Sequence, residues 1–405
     1  MKLSLAGETR TKTIYIAGNP GYGKSSLIQT MALNDIKAGR GVCVIDPSGG
    51  DLVGRLVHWI PKERVNDTIY FDTDDPLPID FFAHRNPPER RVLIDYLLDI
   101  FNLENAPISR PRLRRIINAL LDANEKGGKF TFLNIHDFIF SESFRENVFS
   151  FAPHSREAWE PFPGKLTEYY TITERLSNFK DSPTLAKAVN GAPGVGINVW
   201  DIMQNKKILL VNLQQSPTDY FLASLIVSKI QQGIFGRNYI PKQDRVPFYA
   251  YVDECDRVMK FCAEDFGEFL IRARKFHLCL TMANPIPADL PTEFQRKFGA
   301  IGALIFFNLD YKDSKEFADR ISPWESLADL KKFTALVCTR GSRPYLVSTP
   351  TFLGPSPASY AKFIQKRTVD NTPLHSPAVL HNEVNGNTDR LSEDIQPGPS
   401  RTETL

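Results

Sequence analysis

Apolar residues along this chain fall into two alternating rhythms. Thr13 to Ala17, Val42 to Ile45 and Thr68 to Phe71 are short runs, β-branched or apolar almost throughout, as strands buried on both faces of a parallel sheet must be. Between the first two, Ser26 to about Ala38 reads as a helix that Gly39, Arg40 and Gly41 stop. From Pro87 to about Asn190 the rhythm changes. Val92, Leu93, Tyr96, Leu97 and Ile100, then Leu113, Ile116, Ile117, Leu120 and Leu121, recur at helical spacing with charges between them, which predicts a mostly helical insertion. Strand-like runs resume at Lys207 to Asn212, Phe248 to Val252, Leu278 to Met282, Ala303 to Phe307 and Thr334 to Cys338. Strands alternating with helices predict an α/β fold with a doubly wound, mostly parallel sheet. Beyond about Leu353 the chain turns to Pro, Ser, Thr, Asn and Asp, a composition that favours a flexible tail, above all from Asp370 onward. The expected organisation is a core in two parts, 1–86 and 191–353, a helical insertion over 87–190, and a tail over 354–405.

A chain of 405 residues, 42% hydrophobic and 24% charged, can bury a full core and is not of the disordered class. Its formal net charge of +2 supplies no bulk positive field, so any nucleic-acid surface must come from local clustering. The five cysteines, Cys43, Cys255, Cys262, Cys279 and Cys338, are odd in number and form no CxxC pair. That fits neither a disulfide framework nor a zinc site, and reduced thiols in a cytosolic protein are expected. Met1 to Arg10 has no apolar stretch of signal-peptide type, and the run Ile301 to Leu309 is too short to cross a bilayer. No membrane span is expected, and the expected location is cytoplasmic.

The chemistry begins directly after the first strand. Gly18-Asn19-Pro20-Gly21-Tyr22-Gly23-Lys24-Ser25 matches GxxxxGK[ST] in full and lies between a predicted strand and a predicted helix that opens at Ser26, the context that gives the pattern its meaning. Glycines let the backbone turn tightly and aim N–H groups at phosphate oxygens, and the helix N-terminus adds partial positive charge. Lys24 is expected to reach the β- and γ-phosphates of ATP, and the Ser25 hydroxyl to bind Mg²⁺. Such a loop needs a carboxylate to hold the metal. Phe248 to Val252 is an apolar strand that ends in Asp253-Glu254, so Asp253 fits the metal side and Glu254 the general base that polarises the attacking water. The alternative, that this acid pair only caps the next helix, loses weight beside a complete phosphate loop. Asp46, at the end of the second strand, either supports the metal's water shell or shapes a turn, and the turn is favoured.

These residues resemble the HerA/FtsK superfamily, and within it ATPases similar to type IV secretion coupling proteins and their soluble relatives. The resemblance runs from about Ile14 to Pro350. It rests on the phosphate loop, on Val44-Ile45-Asp46-Pro47-Ser48-Gly49-Gly50-Asp51, and on Asp201-Ile202-Met203 ahead of Ile208 to Leu213. It continues through Tyr251-Val252-Asp253-Glu254 and Arg274-Lys275-Phe276 to the strand Leu278 to Asn284. It implies a RecA-like P-loop fold and a ring, normally a hexamer, that pumps DNA through its channel at the expense of ATP. It also implies a helical domain on one face of the ring that contacts DNA or a relaxase-like cargo protein, with secretion-channel or capsid proteins as further partners. Asn284 takes the place of the family's Gln that senses the γ-phosphate, a shorter amide with less reach. Arg274 or Arg272 is implied as the arginine that enters the neighbouring subunit's site, against the alternative of a solvated helix face. The family's membrane-anchored members begin with transmembrane helices, so a member attached to membrane machinery only through partners is expected here. Arg110, Arg112, Arg114 and Arg115 crowd one helix of the insertion and either contact DNA phosphates or form a solvated face. Sequence-specific readers are lacking, so contact with DNA is expected to be to the backbone. Two rivals stand beside a conjugative pump: a viral genome-packaging ATPase, and a slow nucleotide-dependent assembly scaffold.

Overall fold

The fully apolar runs become the strands of one sheet. The computed structural model describes residues 7–101, 103, 106–160, 165–259, 273–315, 317, 321–322, 326–354, 356 and 359–369. Within them lie β1 (Ile14–Ala17), β2 (Gly41–Asp46), β3 (Thr68–Asp72), β4 (Ile208–Asn212), β5 (Phe248–Val252), β6 (Leu278–Asn284), β7 (Ala303–Phe306), β8 (Thr334–Thr339) and β9 (Tyr345–Ser348). They hydrogen-bond in the order β3-β4-β2-β5-β6-β1-β7-β8-β9. Every pair from β3 to β7 is parallel, and β8 and β9 add antiparallel strands at one edge. This is the doubly wound, mostly parallel sheet that the alternation of strands and helices predicts. Its parallel strands are buried almost throughout because helices cover both faces.

On one face lie α1 (Gly7–Arg10), α2 (Lys24–Lys37) and α3 (Asp51–Leu56). Leu27, Ile28 and Ile36 of α2 pack there with Ile14 and Ile16 of β1. The end of α2 is tied to β5 by charge. Asp35, almost wholly buried, accepts hydrogen bonds from Arg10, from the Tyr251 hydroxyl and, at 2.6 Å, from Arg40. Arg10 also donates to Tyr251 at 2.8 Å. Breaking a buried pair by removing one partner costs about 3–5 kcal/mol, so this cluster holds the helix that follows the phosphate loop against the strand that leads to Asp253.

The other face carries the helical stretch: α4 (Pro87–Ile100), α5 (Ser109–Glu125), α6 (Asn134–Phe140), α7 (Glu142–Phe151), α8 (Pro153–Trp159), α9 (Tyr170–Lys180) and α10 (Pro183–Val189). Beyond it come α11 (Val199–Gln204), α12 (Pro217–Gly236) and α13 (Cys255–Met259). The start of α4 is set by Asn86, whose side chain accepts from Glu89 N–H at 2.9 Å, with prolines in the first turn. Ring contacts of 5.1–5.8 Å run from Phe81 through Phe132 and Phe179 to Phe221 of α12, so the helices share one apolar core with the sheet. The two ends of the excursion meet in isolated parallel bridges, Ile79 with Ile197 and Asp80 with Gly191.

The described residues belong to one compact unit, residues 1–369, and the expected tail from Asp370 onward lies outside them. The part of that tail from residue 354 differs from expectation: Ala361–Val369 is a helix with Ala361 and Ile364 buried. Two apolar positions one turn apart are too faint a signal against the surrounding polar composition. Cys43, Cys255, Cys279 and Cys338 are buried free thiols, and Cys262 lies outside the described residues. Among the described residues no helix is long and apolar enough to cross a membrane.

Candidate nucleotide site

The loop after β1 is held from behind by the neighbouring strand. Asn19 donates its backbone N–H to the Asn308 carbonyl at 2.7 Å and its side-chain amide to Asn308 Oδ1 at 2.8 Å. Gly18, with φ +151°, sits so close to the chain just after β7 that a Cβ there would lie 2.5 Å from Phe307 Cβ, which leaves only glycine. Around Gly21, by contrast, a Cβ would meet nothing within 4 Å. Pro20 and Gly21 are exposed, and the Tyr22 carbonyl accepts from Phe333 N–H at 2.9 Å. The loop is thus anchored at its ends and open at its crown, a cradle whose backbone can turn N–H groups toward a phosphate.

Lys24 and Ser25 open helix α2 inside that cradle. Lys24 is buried and its Nζ donates to the carbonyls of Gly18 at 2.6 Å and Asn19 at 3.3 Å. Burial lowers its pKa, and the carboxylates of Asp253, Glu254 and Asp256 oppose that shift. An ammonium folded back on loop carbonyls within a carboxylate field is one that an incoming polyphosphate can recruit. Ser25 Oγ donates to Asp253 Oδ2 at 2.5 Å, while Ser26 Oγ turns back to the Gly23 carbonyl at 2.9 Å.

Asp253 comes to Ser25 because β5 and β1 are separated only by β6, all three parallel. Their carboxyl ends therefore share one edge, where ligands of such sheets bind. Asp253 is 2% exposed. Its second oxygen accepts the Glu254 N–H at 3.0 Å, and burial raises its pKa against the Ser25 hydrogen bond and Lys24. Glu254 follows with φ +41°, a left-handed conformation that costs a non-glycine residue energy and gathers at functional sites. Burial raises its pKa too, opposed by Arg257. Asp46 serves the turn. One oxygen accepts from Ser48 and the other from the amides of Leu52 at 2.8 Å and Val53 at 3.0 Å at the start of α3.

Asn284 ends β6 in register with Ala17, the last residue before the loop. It is fully buried, donates Nδ2 to the Ile286 carbonyl at 2.6 Å and accepts from the Tyr15 hydroxyl. Arg274 is exposed just before the amino end of β6. At ~3.3 Å per residue, the strand separates it by roughly 20 Å from its own phosphate loop. Arg272 lies outside the described residues. On α5, Arg110 pairs with Asp99 at 3.2 Å, Arg114 with Asp95 at 2.7 Å and Arg112 with Glu168, so the basic cluster is largely neutralised by its own neighbours. Sequence reasoning missed Tyr15, Arg257 and Tyr220 as partners of the site. Only Arg257 left a trace, three residues beyond Glu254 on a helical start.

No protein-family model matches the sequence, and no curated protein does. Solved structures do match. The plasmid coupling protein TrwB, in complex with ADP and Mg²⁺, is 16% identical with a TM-score of 0.61, over 88% of this chain and 89% of that one. VirB4 of Thermoanaerobacter pseudethanolicus is 13% identical with a TM-score of 0.53, over 86% of this chain and 91% of that one. The chain therefore has the RecA-like P-loop fold that TrwB and VirB4 share, the fold expected from its sequence.

Proposed function

We propose that this protein is an ATP-hydrolysing DNA translocase that works as a ring, normally a hexamer, in a conjugation or type IV secretion-like transfer. The observation that carries the reading is the 2.5 Å contact between Ser25 and Asp253. It brings a phosphate-loop hydroxyl and a strand-end carboxylate from residues far apart in the chain to one point beside Lys24. The same pair is a hard oxygen donor set, and among the described residues no group of three His, Cys, Asp or Glu could hold a metal by itself. Mg²⁺ suits such a site, since it takes one or two protein oxygens and completes its shell with phosphates and water. When bound, Mg²⁺ and ATP supply charge neutralisation across the phosphates and the phosphoryl group to be transferred. The loop amides from Gly18 to Gly23 hold and orient the phosphates, Lys24 follows the outer ones, and Glu254 takes the proton of the attacking water.

A ring explains Arg274. It cannot reach its own loop, and its exposed position before β6 suits an arginine that enters a neighbour's site. We expect the Arg274→Ala protein to be inactive alone and to recover turnover when mixed with Lys24→Ala protein, because each supplies what the other lacks. A mixture as inactive as its parts overturns the trans assignment. The paired arginines of α5 do not supply a free basic face, so the proposed DNA contact is to the backbone from elsewhere in the ring. Recruitment to membrane machinery would pass through partners from the cytoplasm. TrwB is described in its own structures as a bacterial conjugative coupling protein, which supports conjugation over packaging as the setting.

One observation favours the scaffold reading. Asn284 has both ends of its amide engaged and no exposed surface, so a γ-phosphate reaches it only after local rearrangement. ATP turnover measured with and without DNA separates the two. A motor is expected to be stimulated severalfold or more, and a rate indifferent to DNA assigns the chain to the scaffold class.

A further inference from the structure

Glu254 does not stand alone at the end of β5. Its Oε2 lies 3.0 Å from Arg257 Nε, one turn further along α13. Arg257 in turn donates Nη1 to the Tyr220 hydroxyl and lays its guanidinium 5.3 Å from the centre of the Tyr220 ring. Tyr220 is well founded. It sits in the first turn of α12, where Ser216 accepts the Asp219 N–H at 3.2 Å, and Leu222 and Ala223 behind it are fully buried. A carboxylate, a guanidinium and a phenol thus form a chain that joins the end of β5 to a separate helix.

Stability does not account for this arrangement. The Arg257 side chain is 40% exposed, although the Glu254 oxygen it meets is buried, and an ion pair with one partner so open to water adds only modestly to stability. Position does account for it. A glutamate side chain turns about several bonds, and a base that must meet one water gains from being held. The strained backbone at Glu254 fixes where its side chain starts, and Arg257 is the charged group that restrains where it ends. The fork of the guanidinium serves both neighbours at once, which an ammonium cannot copy.

The geometry points to Arg257 as a positioning residue for Glu254, with Tyr220 as its brace. This rests on the reading of Glu254 as the group that activates water. Arg257→Ala is expected to lower kcat on the order of 10-fold to 100-fold, with KM and the affinity for ATPγS unchanged. Arg257→Lys recovers only part of the loss, and Tyr220→Phe shows a smaller loss of the same kind. In a Glu254→Gln background, Arg257→Ala has no further effect on single-turnover hydrolysis. Thermal melts of the nucleotide-free protein give a second readout, in which the shifts from Glu254→Gln and Arg257→Ala are expected to be non-additive. The inference is overturned if Arg257→Ala turns over at the wild-type rate or faster. It is equally overturned if the loss of kcat is the same in both backgrounds, or if the melting shifts simply add. Non-additive melts in a wild-type chain that binds ATPγS but hydrolyses no ATP overturn the motor reading and leave the pairing itself established.

Discussion

Lys24→Ala protein is expected to lose ATP binding and turnover together, with hydrolysis reduced on the order of 10²–10³-fold or more, as when a preorganised electrostatic donor is removed from a reacting centre. The size of the effect follows from where the ammonium sits. It is buried, folded onto the Gly18 and Asn19 carbonyls, and close to the carboxylates of Asp253 and Glu254. Without it those acids face a polyphosphate with no opposing cation from the loop, so the loss is in binding and in rate. Titration with a fluorescent ATP analogue checks the first and phosphate release the second. Unchanged affinity in the variant would mean that the loop does not hold phosphate.

Glu254→Gln is expected to separate the two. An amide keeps the size of the side chain and cannot take a proton, so nucleotide stays bound while turnover falls on the order of 10²–10⁴-fold. Burial already raises the Glu254 pKa, which brings its basicity closer to what proton abstraction from water needs. Retained ATPγS affinity with lost phosphate release is the expected pair of results. Turnover at the original rate removes Glu254 from the role of base.

The phosphate loop and its strands were legible because their signals are contiguous. Eight consecutive residues carry the loop motif, and β2, β4 and β5 are apolar on both faces. The short strand β9 was not. Tyr345 and Leu346 are only partly buried and Ser348 is exposed, so an antiparallel edge strand writes little into composition. The pairing of Ser25 with Asp253 follows from two motifs that each name the other's function. Tyr15 with Asn284 and Arg257 with Tyr220 depend on the register of strands and the docking of helices far apart in sequence, which local pattern does not encode. The crowded arginines of α5 read as a basic surface for a related reason: Asp95 and Asp99, which face two of them, belong to a different helix.

The bridges that join Ile79 to Ile197 and Asp80 to Gly191 have a consequence for how such a molecule can vary. Because the chain leaves and returns at one spot, the sheet is indifferent to the length of what lies between. Closing a flexible excursion twice as long costs only about 0.6 kcal/mol more. The restraint comes instead from the apolar core that the excursion shares with the sheet and α12, in which the row of rings ends at Phe221, so a replacement segment of another size is expected to need its own apolar cover for that face.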